Sequence, residues 1–206
     1  MKKFYKPFIK FFAPLAIAYW CWWSNIRFRK KIRTDTTLLL DEDRVSTLAE
    51  IKKLATKAYR RFKWTEDGPD VLWDAISPPP QAYKYYSDGL LEEDCDGFHA
   101  LMHYCLSMNG IKSYLFTVTA IGSSHCILLF YFQNKWHVND YYNVYGPYDT
   151  VKEAVEAYNL IFADRYKTES EVFSNQYVDY NYKTGKFKRT TRTKIEAEQL
   201  KSEEKK

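Results

Sequence analysis

The chain has 206 residues, 46% of them hydrophobic and 18% aromatic, enough for one core of ordinary size and too apolar for a disordered polymer. Of its 31 Lys and Arg, nine fall in the first 33 residues, where there is no acid; the rest of the chain carries 22 bases against 26 acids. The body is therefore mildly acidic and the basic character belongs to an N-terminal arm, which argues against a nucleic-acid binder built on the whole domain. Four cysteines (Cys21, Cys95, Cys105, Cys126) form no C-x-x-C pair and no finger spacing, which argues against a disulfide framework and a zinc finger. A reduced thiol fits a reducing compartment.

The arm runs Lys2-Lys3, then apolar from Phe11 to Trp23, then Arg27 to Arg33. The uninterrupted run is 13 residues, short of a bilayer span; letting Lys10 snorkel extends it to Pro7–Ile26, 20 residues, which would suffice. Trp20, Trp22 and Trp23 cluster at its far end like an interfacial belt. A membrane anchor or interfacial helix leads the readings. A helix buried against the body comes next, followed by a signal peptide ending near Ala16 or Ala18 and a nucleic-acid arm. The aromatics are contiguous rather than interleaved with bases, which favours lipid. The expected location is membrane-associated or cytoplasmic.

Residues 46–63 show helical periodicity, with Leu48, Ile51, Ala55, Ala58, Tyr59 and Phe62 on one stripe. A short helix is expected around 70–76. Pro78-Pro79-Pro80 predicts an extended segment, and 81–92 a loop. A helix then starts at Cys95 and stops at Asn109-Gly110. Three strand-like runs follow, 111–120, 125–132 and 136–144. Thr150-x-x-Glu153 is a capping box opening another helix, and from Gly185 the chain reads as a polar tail, helical and solvated or disordered.

Cys95 stands between Asp94 and Asp96 at a helix start, His125 opens a strand-like run thirty residues on, and Asp140 closes another fifteen later. A thiol at a helix N-terminus sees the positive end of the helix dipole, which favours the thiolate. A hairpin between the last two runs would bring His125 and Asp140 onto neighbouring strands, with the carboxylate orienting the imidazole. Asn139 is the alternative third residue. A second arrangement, Cys95, His99 and His103 at helical spacing, is a plausible metal set, but the buried stripe of the helix rotates past that face and no metal is expected.

These residues resemble a known family. Glu93-Asp-Cys-Asp-Gly-Phe-His-Ala-Leu101, Met108-Asn-Gly-Ile111, Ser124-His125 and Lys135-Trp-His-Val-Asn-Asp140 are similar to the transglutaminase-like cysteine enzyme superfamily, over roughly residues 60–145. The stretch 62–74 followed by Pro78 resembles the lead-in of bacterial transglutaminase-like peptidases. The resemblance implies an α+β, papain-like core with the Cys-bearing helix on an antiparallel sheet. It also implies Cys95 as nucleophile, His125 as general base and acid, and Asp140 as orienter. The oxyanion hole would use the Cys95 N–H and a side chain from the preceding loop, with Gln81, Tyr83 and Trp73 as candidates. The chain departs from the pattern at three places: Glu93 stands where a glycine is usual, Gly97 where an acid is common, and His99 where a small residue is expected.

The expected organisation is an arm (1–33), a transglutaminase-like domain (34–184) and a charged tail (185–206). The expected function is acyl transfer from a protein or peptide amide through a thioester, resolved by water or by an amine, without cofactor. The alternative is an inactive interaction protein on the same fold, tethered by its arm.

Overall fold

A computed structural model describes residues 2–28, 39–65, 76–89, 91–120, 123–166 and 174–203. The architecture is α+β: one antiparallel six-stranded sheet with helices on both faces.

The sheet is made of β3 (Lys112–Ala120), β4 (Ser123–Phe132), β5 (Lys135–Asp140), β6 (Asn143–Tyr148), β7 (Ser174–Asn181) and β8 (Lys186–Thr190), in the order β6-β5-β4-β3-β7-β8. The third strand-like run is in fact a hairpin. It folds back at Tyr141, whose φ of 51° places it in the left-handed region. A small parallel pair, β1 (Lys63–Trp64) and β2 (Glu92–Glu93), lies apart from this sheet.

Two apolar layers sandwich the main sheet. On one face α4 (Cys95–Met108) packs on β3 and β4. It belongs to a single core with α1 (Lys2–Arg27), α2 (Leu48–Arg61) and α3 (Pro79–Ser87), joined by Leu128 and Phe130 from the sheet. On the other face α5 (Val151–Arg165) and α6 (Arg192–Glu203) cover Ile127, Leu129, Trp136 and Val138. The alternation Ile127/Leu129 against Leu128/Phe130 is the period of two that a strand buried on both faces must show.

The caps follow local chemistry. Thr47 and Glu50 close a full capping box on α2, and Thr150 accepts from the Glu153 N–H at the start of α5. A buried carboxylate, Asp43, ties together the core on the α4 side. It accepts from Lys57 Nζ (2.8 Å), Tyr83 OH (3.0 Å) and Tyr86 OH (3.3 Å), while its carbonyl accepts from Asn109 Nδ2 (3.1 Å).

Two expectations are corrected. Residues 79–87 form a helix rather than an extended segment and loop. Pro79 and Pro80 occupy its first turn, where a missing N–H costs nothing and the fixed φ suits helix entry. The polar stretch after Gly185 is not a solvated tail. Its first part pairs with β7 from Asn181↔Lys186 to Tyr177↔Thr190, and Phe187 and Ile195 are buried. Three charged residues, Lys186, Lys188 and Arg189, conceal an edge strand behind a polar composition. The helix expected near 70–76 lies outside the described residues except for Ile76.

The arm is a helix over 2–27, and among the described residues no helix is long and apolar enough to cross a membrane. It packs on β7 and β8, burying Ile17, Cys21 and Ser24. Asn25 makes a reciprocal pair with the Phe187 backbone, donating from Nδ2 to its carbonyl (3.0 Å) and accepting its N–H at Oδ1 (2.8 Å). A side-chain amide thus occupies the ladder positions that a further strand would use at this edge.

Candidate active site

Cys95 is the first helical residue of α4. Asp94 caps the helix by accepting the Asp96 N–H at 2.9 Å. Residues 92–93 are pinned to 63–64, so the approach to Cys95 is held from α2 rather than left as a free loop.

Gly97 makes this approach possible. A Cβ at that position would lie 2.5 Å from Cβ and 2.8 Å from Cγ of Glu93. Two of the sequence departures therefore compensate each other: the bulk gained at 93 sits over the bulk absent at 97. Glu93 also accepts from Ser77 Oγ at 2.8 Å.

His125 lies near the start of β4, beyond the last β4–β5 pair, Leu128↔Asn139. It shares a sheet face with Ile127 and, across the pairing, with Asp140. Its Nε2 lies 2.9 Å from Asp140 Oδ1, with both side chains buried. An ionised carboxylate only accepts, so the proton sits on Nε2 and Nδ1 is left as the basic nitrogen. The neighbouring Cys126 N–H points at Cys95 Sγ at 3.4 Å, so the first residues of β4 border the thiol. The structure thus gathers the Cys95, His125 and Asp140 segments at one end of the sheet. Asn139 faces elsewhere and braces the turn, donating to the carbonyls of Tyr141 (2.6 Å) and Asn143 (3.1 Å).

Asp140 is held on both oxygens. Oδ2 accepts from Tyr158 OH at 3.0 Å and from Arg165, both on α5. Burial alone would raise its pKa, but the His125 hydrogen bond and the charges of His125, His99 and Arg165 outweigh it and hold the carboxyl at about 2. Tyr158 and Arg165 carry no spacing signal in the sequence, where they read as a tyrosine and a basic residue on an amphipathic helix.

His99, which stands where the resemblance expects a small residue, bridges the thiol helix and the β5–β6 turn. Tyr141 N–H donates to its Nε2 at 3.2 Å, so Nδ1 carries the proton and donates to the Cys95 carbonyl at 2.6 Å. Burial, then the charge of His125, pushes its pKa down to about 4. Both nitrogens are committed, and His103 Nδ1 is bonded to Ser113 Oγ at 2.7 Å. Among the described residues no group of His, Cys, Asp or Glu is arranged to hold a metal ion.

Of the oxyanion candidates, Tyr83 has its hydroxyl engaged by Asp43 and by the Leu40 N–H (2.8 Å). Gln81 is half-buried in the first turn of α3, and Trp73 lies outside the described residues.

An aromatic cleft of about 440 Å³ adjoins the site, lined by Tyr59, Phe62, Trp64 and Tyr141. Tyr141 connects the two: its ring centroid is 5.8 Å from Phe62 and 5.5 Å from His125. Trp64 is more than half exposed and pairs with Glu93, two residues before the thiol.

No protein-family model matches the chain, and no curated protein matches it in sequence. Solved structures do align with it. One is a protein from Cytophaga hutchinsonii provisionally assigned as a cysteine protease, with 12% identity and a TM-score of 0.37, covering 60% of this chain and 39% of that one. Another is Legionella pneumophila LapG, with 14% identity and a TM-score of 0.36, covering 50% of this chain and 60% of that one. Calcium-bound LapG aligns at 14% identity with a TM-score of 0.39, over 59% and 75%. The chain thus spans less than two thirds of the length of the first two.

Proposed function

We propose that the protein is a thiol-dependent acyl-transfer enzyme of the transglutaminase-like, papain-fold type, acting on a protein or peptide amide. The observation that carries this reading is the Cys126 N–H on Cys95 Sγ next to a His125–Asp140 pair fixed at 2.9 Å. Cys95 Sγ attacks the amide carbon and its proton passes to His125 Nδ1. The tetrahedral oxyanion faces the Cys95 N–H at the helix N-terminus, with Gln81 the remaining described candidate for a second donor. The C–N bond breaks, the amine leaves with the proton from His125, and a thioester remains. Water then attacks the thioester, releasing the acid and restoring the thiol. Hydrolysis is favoured over amine transfer because Cys95 is partly exposed to solvent. Asp140 keeps the imidazole oriented throughout and stabilises its charge.

The aromatic cleft gives the substrate its character: a bulky apolar side chain beside the scissile carbonyl, stacked between Trp64 and Tyr141.

Iodoacetamide tests the thiol. Cys21, Cys105 and Cys126 are buried, and burial pushes the thiol of Cys21 up to about 12 and those of Cys105 and Cys126 well above the ordinary value. Near neutral pH, Cys95 should be alkylated first, and His125→Ala should slow it. A peptide vinyl sulfone should add to the Cys95 peptide, as read by mass spectrometry. Uniform slow alkylation of all four cysteines would overturn the reading and favour a non-enzymatic interaction protein.

A further inference from the structure

The helix α1 has two apolar faces. One is used: Ile17, Cys21 and Ser24 are buried on β7–β8, and Asn25 is paired with the Phe187 backbone. The other is open to solvent. Phe11, Phe12, Leu15, Tyr19, Trp22 and Ile26 are all exposed, from 36% at Tyr19 to 65% at Phe11. At 100° per residue these six positions fall in a stripe about 100° wide, opposite the buried one. The helix is about 39 Å long at the standard rise. The body therefore carries a rod of aromatic and aliphatic groups along one edge of its sheet.

Charge identifies what covers it. Residues 1–33 contain nine Lys and Arg and no acid, and Lys10 and Arg27 are exposed at either end of the stripe. Two copies meeting through this face would bring Lys10 and Arg27 of one arm against those of the other, in a segment with no acid to offset them. An anionic lipid surface is complementary to the bases and solvates the stripe. A spanning helix would have to strip the inner face from the sheet and break the Asn25–Phe187 pair, whereas a helix lying in the interface keeps both. We infer that α1 docks the folded domain on an anionic bilayer surface, lying in the plane of the membrane with Phe11, Leu15, Trp22 and Ile26 in the headgroup–acyl boundary.

The test uses the full chain and vesicles of phosphatidylglycerol and phosphatidylcholine in equal parts, against pure phosphatidylcholine. Sedimentation should pellet the protein with the mixed vesicles and leave it in solution with the neutral ones, with binding falling as salt is raised. The double substitution Leu15→Glu and Trp22→Glu should weaken binding by about tenfold or more. Its thermal unfolding and Cys95 alkylation should match wild type. If that variant misfolds, Phe11→Ser with Phe12→Ser, together with quenching of tryptophan fluorescence by brominated lipid in the wild type, reads the same contact. Failure of the wild type to pellet, or undiminished pelleting of a folded stripe variant, overturns the inference. So does a vesicle-independent dimer that the stripe substitutions dissolve, which would assign the face to a second copy.

Discussion

His99 donates from Nδ1 to the carbonyl of Cys95 at 2.6 Å, and the same ring receives the Tyr141 N–H at Nε2. One buried neutral imidazole thus couples the first turn of the thiol-bearing helix to the residue after Asp140. It also lies against the His125 ring, with centroids 5.9 Å apart. His99→Ala leaves the Tyr141 N–H unpaired and strips the Cys95 carbonyl of its side-chain donor while its helical bond remains, at a cost of about 1–3 kcal/mol. The expected outcome is a loss of stability of that size in urea unfolding. Cys95 alkylation should slow by about tenfold as the spacing between helix and turn relaxes.

Tyr141 holds a left-handed backbone at φ 51°, a conformation that costs a bulky residue about 1–3 kcal/mol. The His99 and Asn139 hydrogen bonds hold it there, and the result is a ring shared by the cleft and His125. Trp64→Ala removes the opposite wall without touching the thiol or the imidazole. KM for peptides with a bulky apolar residue beside the cleaved bond should rise about tenfold, with a smaller change for peptides bearing alanine there. Cys95 alkylation by iodoacetamide should be unchanged.

Glu93 and Gly97 should behave as a coupled pair. Gly97→Ala pushes a methyl into the Glu93 stem near its Cβ, and backbone pairing at Trp64↔Glu93 limits retreat. The single substitution is expected to cost about 1–3 kcal/mol. With Glu93→Gly in place the same change should cost much less, giving a coupling of about 1–2 kcal/mol in a double-mutant cycle.

Acid should destabilise the fold in two stages. His99 and His103 are held neutral by burial, with pKa values of about 4 and about 3. Between these values and the ordinary value of about 6.5, the unfolded chain binds protons that the fold does not. Stability is then fully present above about pH 6.5 and is lost as pH falls, at up to about 1.4 kcal/mol per pH unit for each histidine. Asp140, at about 2, adds stability present above about pH 4 and lost as pH falls toward 2. Urea unfolding at a series of pH values checks this. His103→Gln should lower the slope between pH 6 and 5 by about a third, because burial holds His137 below its ordinary value as well.

Asp140 depends on α5. Tyr158→Phe removes one hydrogen bond donated to the ionised carboxylate at Oδ2 and should cost about 1.5–3 kcal/mol. Arg165→Met removes the opposite charge and should raise the Asp140 pKa, moving the acid limb of thiol reactivity to higher pH.

Cys95, His125 and Asp140 stand out in the sequence as candidates because each stands at the boundary of an element, where local signals are strongest. Those signals are an N-cap acid before Cys95, a strand opening at His125 and a strand closing at Asp140. α3 was obscured because a proline triplet reads as extended unless the helix is known to begin inside it. β8 was obscured because only Phe187 and Thr190, three residues apart and on opposite faces, are buried among its lysines and arginine. The spacing of Cys95, His99 and His103 carries no sign of the partners that β3 and the β5–β6 turn supply to the two imidazoles.

The sequence by itself determined the periodicities, the caps and the order of thiol, imidazole and carboxylate, because these depend on residues a few positions apart. Tertiary structure alone decided that Asp140 rather than Asn139 meets His125, since strand register fixes which side chains share a face. It also decided that Glu93 replaces the bulk missing at Gly97, that His99 braces Cys95 against Tyr141, and that α1 turns one apolar face inward and the other out. Each of these joins side chains or backbone through packing, where distance is set by the fold and not by separation along the chain.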